Sequence, residues 1–205
     1  LVFDQMNGIH SFIPTFLINF HKVENVADFE ALVSRLNLIR PRMRDALNVA
    51  REASNRGVNA PYFALEGVAS QSRKIISGQP FDADAGTDSA IWSDIQRKLQ
   101  SLLDEELLTE DQATALRAEA KTALLTSFGP AYEAIIAWAE EERLTAPQVA
   151  TGVGALEGGN AYYAHLLARQ TTTDLSADEI HAIGLEEVAR LRNEMLVIMD
   201  EVDFQ

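Results

Sequence analysis

The segment Gly158–Met195, GGNAYYAHLLARQTTTDLSADEIHAIGLEEVARLRNEM, decides how the chain folds. Ser176 followed three residues later by Glu179 is a capping box, in which the two side chains satisfy backbone N–H groups at a helix start. Beyond it Val188, Leu191, Met195, Ile198 and Val202 recur at steps of three and four, which puts them on one face of a long helix. The other face of that helix is strongly acidic. Upstream, Gly158 and Gly159 lead into Tyr162 and Tyr163 at the mouth of a shorter helix, and Thr171, Thr172 and Thr173 follow its end.

The same helical spacing extends through the rest of the chain, and no segment sustains the two-residue alternation of a strand. Asn25 caps a helix whose stripe is Val26, Phe29, Leu32, Val33 and Leu36, and Pro41 starts another that stops at Gly57. Pro61 opens a third helix that runs to Gly78. The stretch GQPFDADAGTD (78–88) then has the composition of a surface loop. Thr87 or Asp88 caps a fourth helix, and Thr109 with Gln112 forms a capping box for a fifth. Gly129 and Pro130 interrupt that pattern before a sixth helix reaches about Arg143, and TAPQVATGVGALEGG (145–159) is a second loop. The expected fold is all-α, an antiparallel multi-helix bundle over residues 1–205, with the loop at 79–88 as the place where it would subdivide. No fixed-period repeat supports a solenoid.

A chain of 205 residues with 47% apolar content buries a core without covalent staples, and having no cysteine it has neither disulfides nor thiolate metal sites. No apolar run approaches the ~20 residues of a membrane-spanning helix. The net charge of −14 is uneven: residues 1–103 hold 11 basic and 11 acidic side chains, residues 104–205 hold 6 and 20. Such a surface repels phosphate backbones and anionic lipid, which disfavours nucleic-acid binding and electrostatic membrane docking. The start at Leu1 sets the expectation that an upstream portion, with a targeting signal, has been removed. The bacterial cell envelope, as a periplasmic lipoprotein, and the cytoplasm are both compatible with these residues.

The chemistry-bearing residue types form no known signature. His10, His21, His165 and His181 are isolated in sequence, with no partner one helical turn away to aim two imidazoles at one ion. No metal ligand is therefore assigned, and there is no Gly-x-Ser-x-Gly elbow or other organised nucleophile. Gly152, Gly154, Gly158 and Gly159 lack the preceding strand and the Lys-Ser/Thr ending of a phosphate loop. Tyr162 and Tyr163 have two readings. Structurally, one packs and the other closes a hydrogen bond while the threonines supply a turn; functionally, the double glycine admits a ligand to the phenols.

The quoted segment resembles the pattern Gly-x-x-x-Tyr-Tyr, Leu, Arg, Thr-Thr-Thr, Leu-Ser-x-x-Glu-Ile-His-x-x-Gly-x-x-Glu-Val of the bacterial domain-of-unknown-function family 885. DQMNGIHSFIPTFL (4–17), ADFEALVSRL (27–36) and NVAREASNRGV (48–58) resemble its upstream part, so the likeness covers nearly the whole chain. Members of that family are longer, largely helical and similar to zinc metallopeptidases, with a His-Glu-x-x-His helix downstream of the matched region. The resemblance implies the N-terminal and middle helical portion of a zinc-dependent peptidase-like hydrolase, without the metal-binding motif and inactive alone. Zinc and a peptide substrate would belong to the full-length protein. Carried over by position, Gly159, Tyr162, Tyr163, Arg169, Thr171, Thr172, Thr173 and His181 are the substrate-cleft candidates, with a phenol to hydrogen-bond a peptide carbonyl or developing oxyanion. No catalytic residue is assigned within the chain. A reading from a different class is a self-sufficient acidic helical module that binds a protein partner.

Overall fold

The helix starts follow largely from their caps. In the computed structural model, which describes residues 1–204, Asn25 Oδ1 accepts from the Asp28 N–H at 3.0 Å and opens α2 (Val26–Asn55). The Thr109–Gln112 box opens α5 (Glu110–Ala123) and the Ser176–Glu179 box opens α8 (Ala177–Glu201). α4 (Ala90–Asp104) is capped by Ser89 and not by the expected Thr87 or Asp88. The remaining helices are α1 (Ile9–Asn19), α3 (Tyr62–Ile75), α6 (Gly129–Glu142) and α7 (Gly159–Thr171), and no strand occurs among the described residues. The class is all-α.

Pro41 does not start a helix, and a second proline also sits within one. Pro41 lies inside α2, a single helix of 30 residues, and Pro14 lies inside α1. A proline lacks the N–H that would bond the carbonyl four residues back, so each leaves one carbonyl without its helical partner. In both places a hydroxyl takes over. Ser127 Oγ donates to the Asn37 carbonyl at 3.0 Å and accepts from the Arg40 N–H at 3.1 Å, and the Tyr132 hydroxyl donates to the His10 carbonyl at 2.6 Å.

Both hydroxyls come from one rod. α5 and α6 are joined without interruption by a π turn, Leu124–Phe128, so Gly129 and Pro130 continue the helix where the sequence pattern suggested a stop. The π turn holds one residue more than α-helical winding would, which swings Ser127 onto α2 and leaves Phe128 stacked on Tyr132 at 4.6 Å between ring centroids. Burial holds the Tyr132 phenol protonated far above its ordinary range, which suits a permanent donor.

The chain divides into two units, Leu1–Ala150 and Thr151–Gln205. The loop at 79–88 lies inside the first unit. Its ends are tied by Gln79 N–H to the Thr87 carbonyl and Ser89 N–H to the Gln79 carbonyl, both 2.9 Å. Gly78 at its root has φ +87°, and a Cβ there would come within 2.7 Å of the Thr87 oxygen, so only glycine fits. The first unit holds the core: Phe29, Leu32, Leu36 and Met43 of α2, Leu65 and Val68 of α3, Ile95 and Leu99 of α4, and Phe128 and Ile135 of the long rod are all buried. α3 packs on α6, α2 on the π turn and the helices either side of it, and α4 on α5. In the second unit Gly159 is the sole buried residue among those described.

Candidate functional site

The motif segment builds the second unit. Gly158 adopts a left-handed conformation (φ 70°) and Gly159 then starts α7 against a short 3₁₀ turn, Val153–Ala155. A Cβ on Gly159 would fall on the Val153 carbonyl oxygen, so this glycine serves close backbone approach within the chain. Tyr162 and Tyr163 follow in the first turn of α7, 55% and 47% exposed, and neither hydroxyl has a hydrogen-bond partner among the described residues.

The threonines close the turn between α7 and α8. Thr171 Oγ1 donates to the Leu167 carbonyl and meets Thr173 Oγ1, both at 2.9 Å, while Thr172 takes a left-handed conformation (φ 56°) that ends α7. Ser176 N–H donates to Glu179 Oε2 at 2.8 Å, and its hydroxyl to the same oxygen at 2.7 Å. Those two bonds, the hydroxyl's first, hold the Glu179 carboxyl below the ordinary glutamate range. Thr171 to Thr173 are thus brought together by local geometry. Tyr162, Tyr163, Arg169 and His181 are exposed, and no hydrogen bond or ion pair joins them to one another among the described residues. The apolar stripe of α8 is also uncovered: Ile183, Val188, Leu191, Met195, Ile198 and Val202 are 47–66% exposed.

The buried polar chemistry lies in the first unit, where the sequence reading assigned none. His10 Nε2 donates to Gln71 Oε1 at 3.0 Å, the amide orientation being set by Gln71 Nε2 donating to the Gln5 carbonyl at 2.8 Å. His10 Nδ1 has no partner, and burial holds the imidazole neutral, below the usual histidine range. His21 is held low chiefly by burial as well, its Nε2 donating to the Asp28 carbonyl at 3.0 Å and its Nδ1 accepting from Arg35 at 2.6 Å. Lys98 pairs with Asp94 at 2.6 Å and caps α1 by donating to the Leu17 carbonyl at 2.7 Å. The Asp94–Lys98 pair was visible in sequence as an i,i+4 spacing; Gln71, 61 positions from His10, was not. These groups are spent on holding helices together. No cluster of three or more histidine or carboxylate side chains suited to a metal ion occurs among the described residues.

The family model described as a bacterial protein of unknown function, DUF885, matches residues 1–205. The chain belongs to this family. A solved structure similar to this DUF885 chain, a protein of Colwellia psychrerythraea described as a "putative lipoprotein", superposes with a TM-score of 0.83 at 19% sequence identity. The match covers 100% of the DUF885 chain and 33% of the Colwellia protein, so the chain spans about a third of that protein's length. At this identity the likeness shows a shared all-α fold. No curated protein matches the DUF885 chain. No helix among the described residues is long and apolar enough to cross a membrane.

Proposed function

We propose that this chain is the helical N-terminal and middle part of a zinc-dependent, peptidase-like hydrolase of the cell envelope, whose metal ligands and general base lie on sequence beyond residues 1–205. The observation that carries the reading is the state of the motif-bearing unit. Its family-pattern residues and its apolar stripe are exposed together, without a core beneath them. A pair of helices in that condition gains little from burial and belongs against a further surface. The described residues do not fit a zinc site, so no step through the metal is assigned to them. What they offer is recognition: exposed phenols at Tyr162 and Tyr163 to donate to a peptide carbonyl, and Arg169 and His181 to meet a carboxylate or carbonyl. The lipoprotein description of the Colwellia protein supports the envelope assignment.

The exposed stripe and acidic face of α8 also suit a self-sufficient module that binds a protein partner, and the length of the native polypeptide separates the two. The test is peptide hydrolysis by the complete gene product, with loss on chelation and recovery on adding zinc, beside the 205-residue chain. Cleavage by the former alone supports the proposal. A native polypeptide ending near Gln205, or a longer one that cleaves no peptide, refutes it.

A further inference from the structure

The first unit contains a cavity of about 270 Å³ that the preceding reading does not use. It is bounded by Leu1–Phe3, the last turns of α2 (Val49, Ala50, Ala53, Ser54), the Val58–Ala60 connection, Leu65 of α3, and Trp138 and Glu142 of α6. The wall is apolar apart from Ser54, Asn59, Glu142 and the indole N–H of Trp138. Ser54 Oγ donates to Glu142 Oε1, which links α2 to α6 at this wall.

Glu142 is half-buried, and no lysine, arginine or histidine pairs with it among the described residues. The cation nearest in sequence, Arg143, is engaged elsewhere. Its guanidinium sits over the Tyr62 ring at 6.0 Å. Two polar atoms of the wall, Asn59 Oδ1 and Trp138 Nε1, are closed from water without partners. A carboxylate partly withdrawn from water beside an apolar hollow lacks one thing, a counter-ion with a hydrocarbon body. Size sets the body: an apolar cavity of ~150 Å³ accepts benzene, so this one has room for a branched alkyl or phenyl group with its polar head.

We propose that this cavity binds small apolar primary ammonium ions, with Glu142 receiving the ammonium and Phe3, Val49, Leu65 and Trp138 receiving the hydrocarbon. Free amines and the apolar N-terminal residue of a peptide share that chemistry. A carboxylate of the same shape is repelled by Glu142, and an alcohol forgoes the charge-assisted bond.

The test titrates 2-phenylethylamine, 2-phenylethanol, 3-phenylpropanoate and phenylalanyl-glycinamide into the 205-residue chain at neutral pH, followed by calorimetry and by the Trp138 indole resonance. The amine binds about tenfold or more tighter than the alcohol, and the carboxylate does not bind. Glu142→Gln, which keeps an acceptor for Ser54, removes the preference for the amine and leaves alcohol binding as it was. Ala53→Trp or Val49→Trp blocks the cavity and abolishes binding of both, with helical content and melting checked for each variant. Binding of phenylalanyl-glycinamide identifies a peptide N-terminus as the physiological form; binding of the amine without it identifies free amines. Equal affinity for amine and alcohol, an unchanged preference in Glu142→Gln, or no binding of the amine up to about 10 mM overturns the proposal.

Discussion

Replacing Ser127 with alanine removes one hydroxyl, which orphans the Asn37 carbonyl and takes a second acceptor from the Arg40 N–H. Ser127 is 5% exposed, so water has little access from its side. Each hydrogen bond of this kind contributes ~1 kcal/mol net, and the loss sums to about 2 kcal/mol. For a unit of this size that is a fall of about 6 °C in melting temperature. Trp92 and Trp138, the chain's two tryptophans, both lie in the first unit, so urea or thermal unfolding followed by tryptophan fluorescence reads the right transition. The decisive comparison is with Pro41→Ala, which restores an N–H for the Asn37 carbonyl. In that background Ser127→Ala loses only its bond from the Arg40 N–H and costs about 1 kcal/mol, a coupling of about 1 kcal/mol between sites 41 and 127. A Ser127→Ala cost below ~0.5 kcal/mol, or equal costs in the two backgrounds, refutes the view that this hydroxyl repairs the proline gap.

Other consequences follow from the same geometry. Asp94→Asn leaves the Lys98 ammonium buried without its counter-charge and costs about 3 kcal/mol in urea unfolding, whereas breaking an exposed pair such as Arg190–Glu194 changes the urea midpoint far less. His10 and His21 titrate below the free-histidine value of 6.5 in the folded chain, so the unfolded chain takes up protons the folded one refuses. Stability of the first unit is therefore full above pH 6.5 and declines as pH falls below it, and His10→Gln makes the decline shallower in urea midpoints measured between pH 7 and 5. Tyr162→Phe with Tyr163→Phe leaves the unfolding of the 205-residue chain unchanged, because neither hydroxyl has a partner, and lowers peptide turnover of the complete gene product by about 100-fold. Unchanged turnover removes the phenols from the chemistry.

Helix starts were legible where the cap is local: Asn25, the Thr109–Gln112 box and the Ser176–Glu179 box each lie within three residues of the group they satisfy. Continuity through Pro41 and Pro130 was not legible, and the helix that contains Pro14 was not foreseen. The repair of the Pro41 gap comes from Ser127, 90 residues from Asn37, and that of the Pro14 gap from Tyr132, 122 residues from His10. No window along the sequence contains both members of such a pair. The two surface loops looked alike in composition, yet the one at 78–88 is tied across its base by backbone hydrogen bonds and the one at 145–159 contains the boundary between the two units. In the motif segment the structural part of the reading fits the threonines and Gly159, which serve the turn and the helix start. Tyr162, Tyr163, Arg169 and His181 have no such local duty.

Metal analysis tests the central claim most directly. The complete gene product and the 205-residue chain are purified in parallel without chelator, and bound zinc is quantified per polypeptide. The account predicts about one zinc or more per complete polypeptide and none in the 205-residue chain, whose described residues hold no ligand cluster. Stoichiometric zinc in the shorter chain, or none in the complete product, contradicts it.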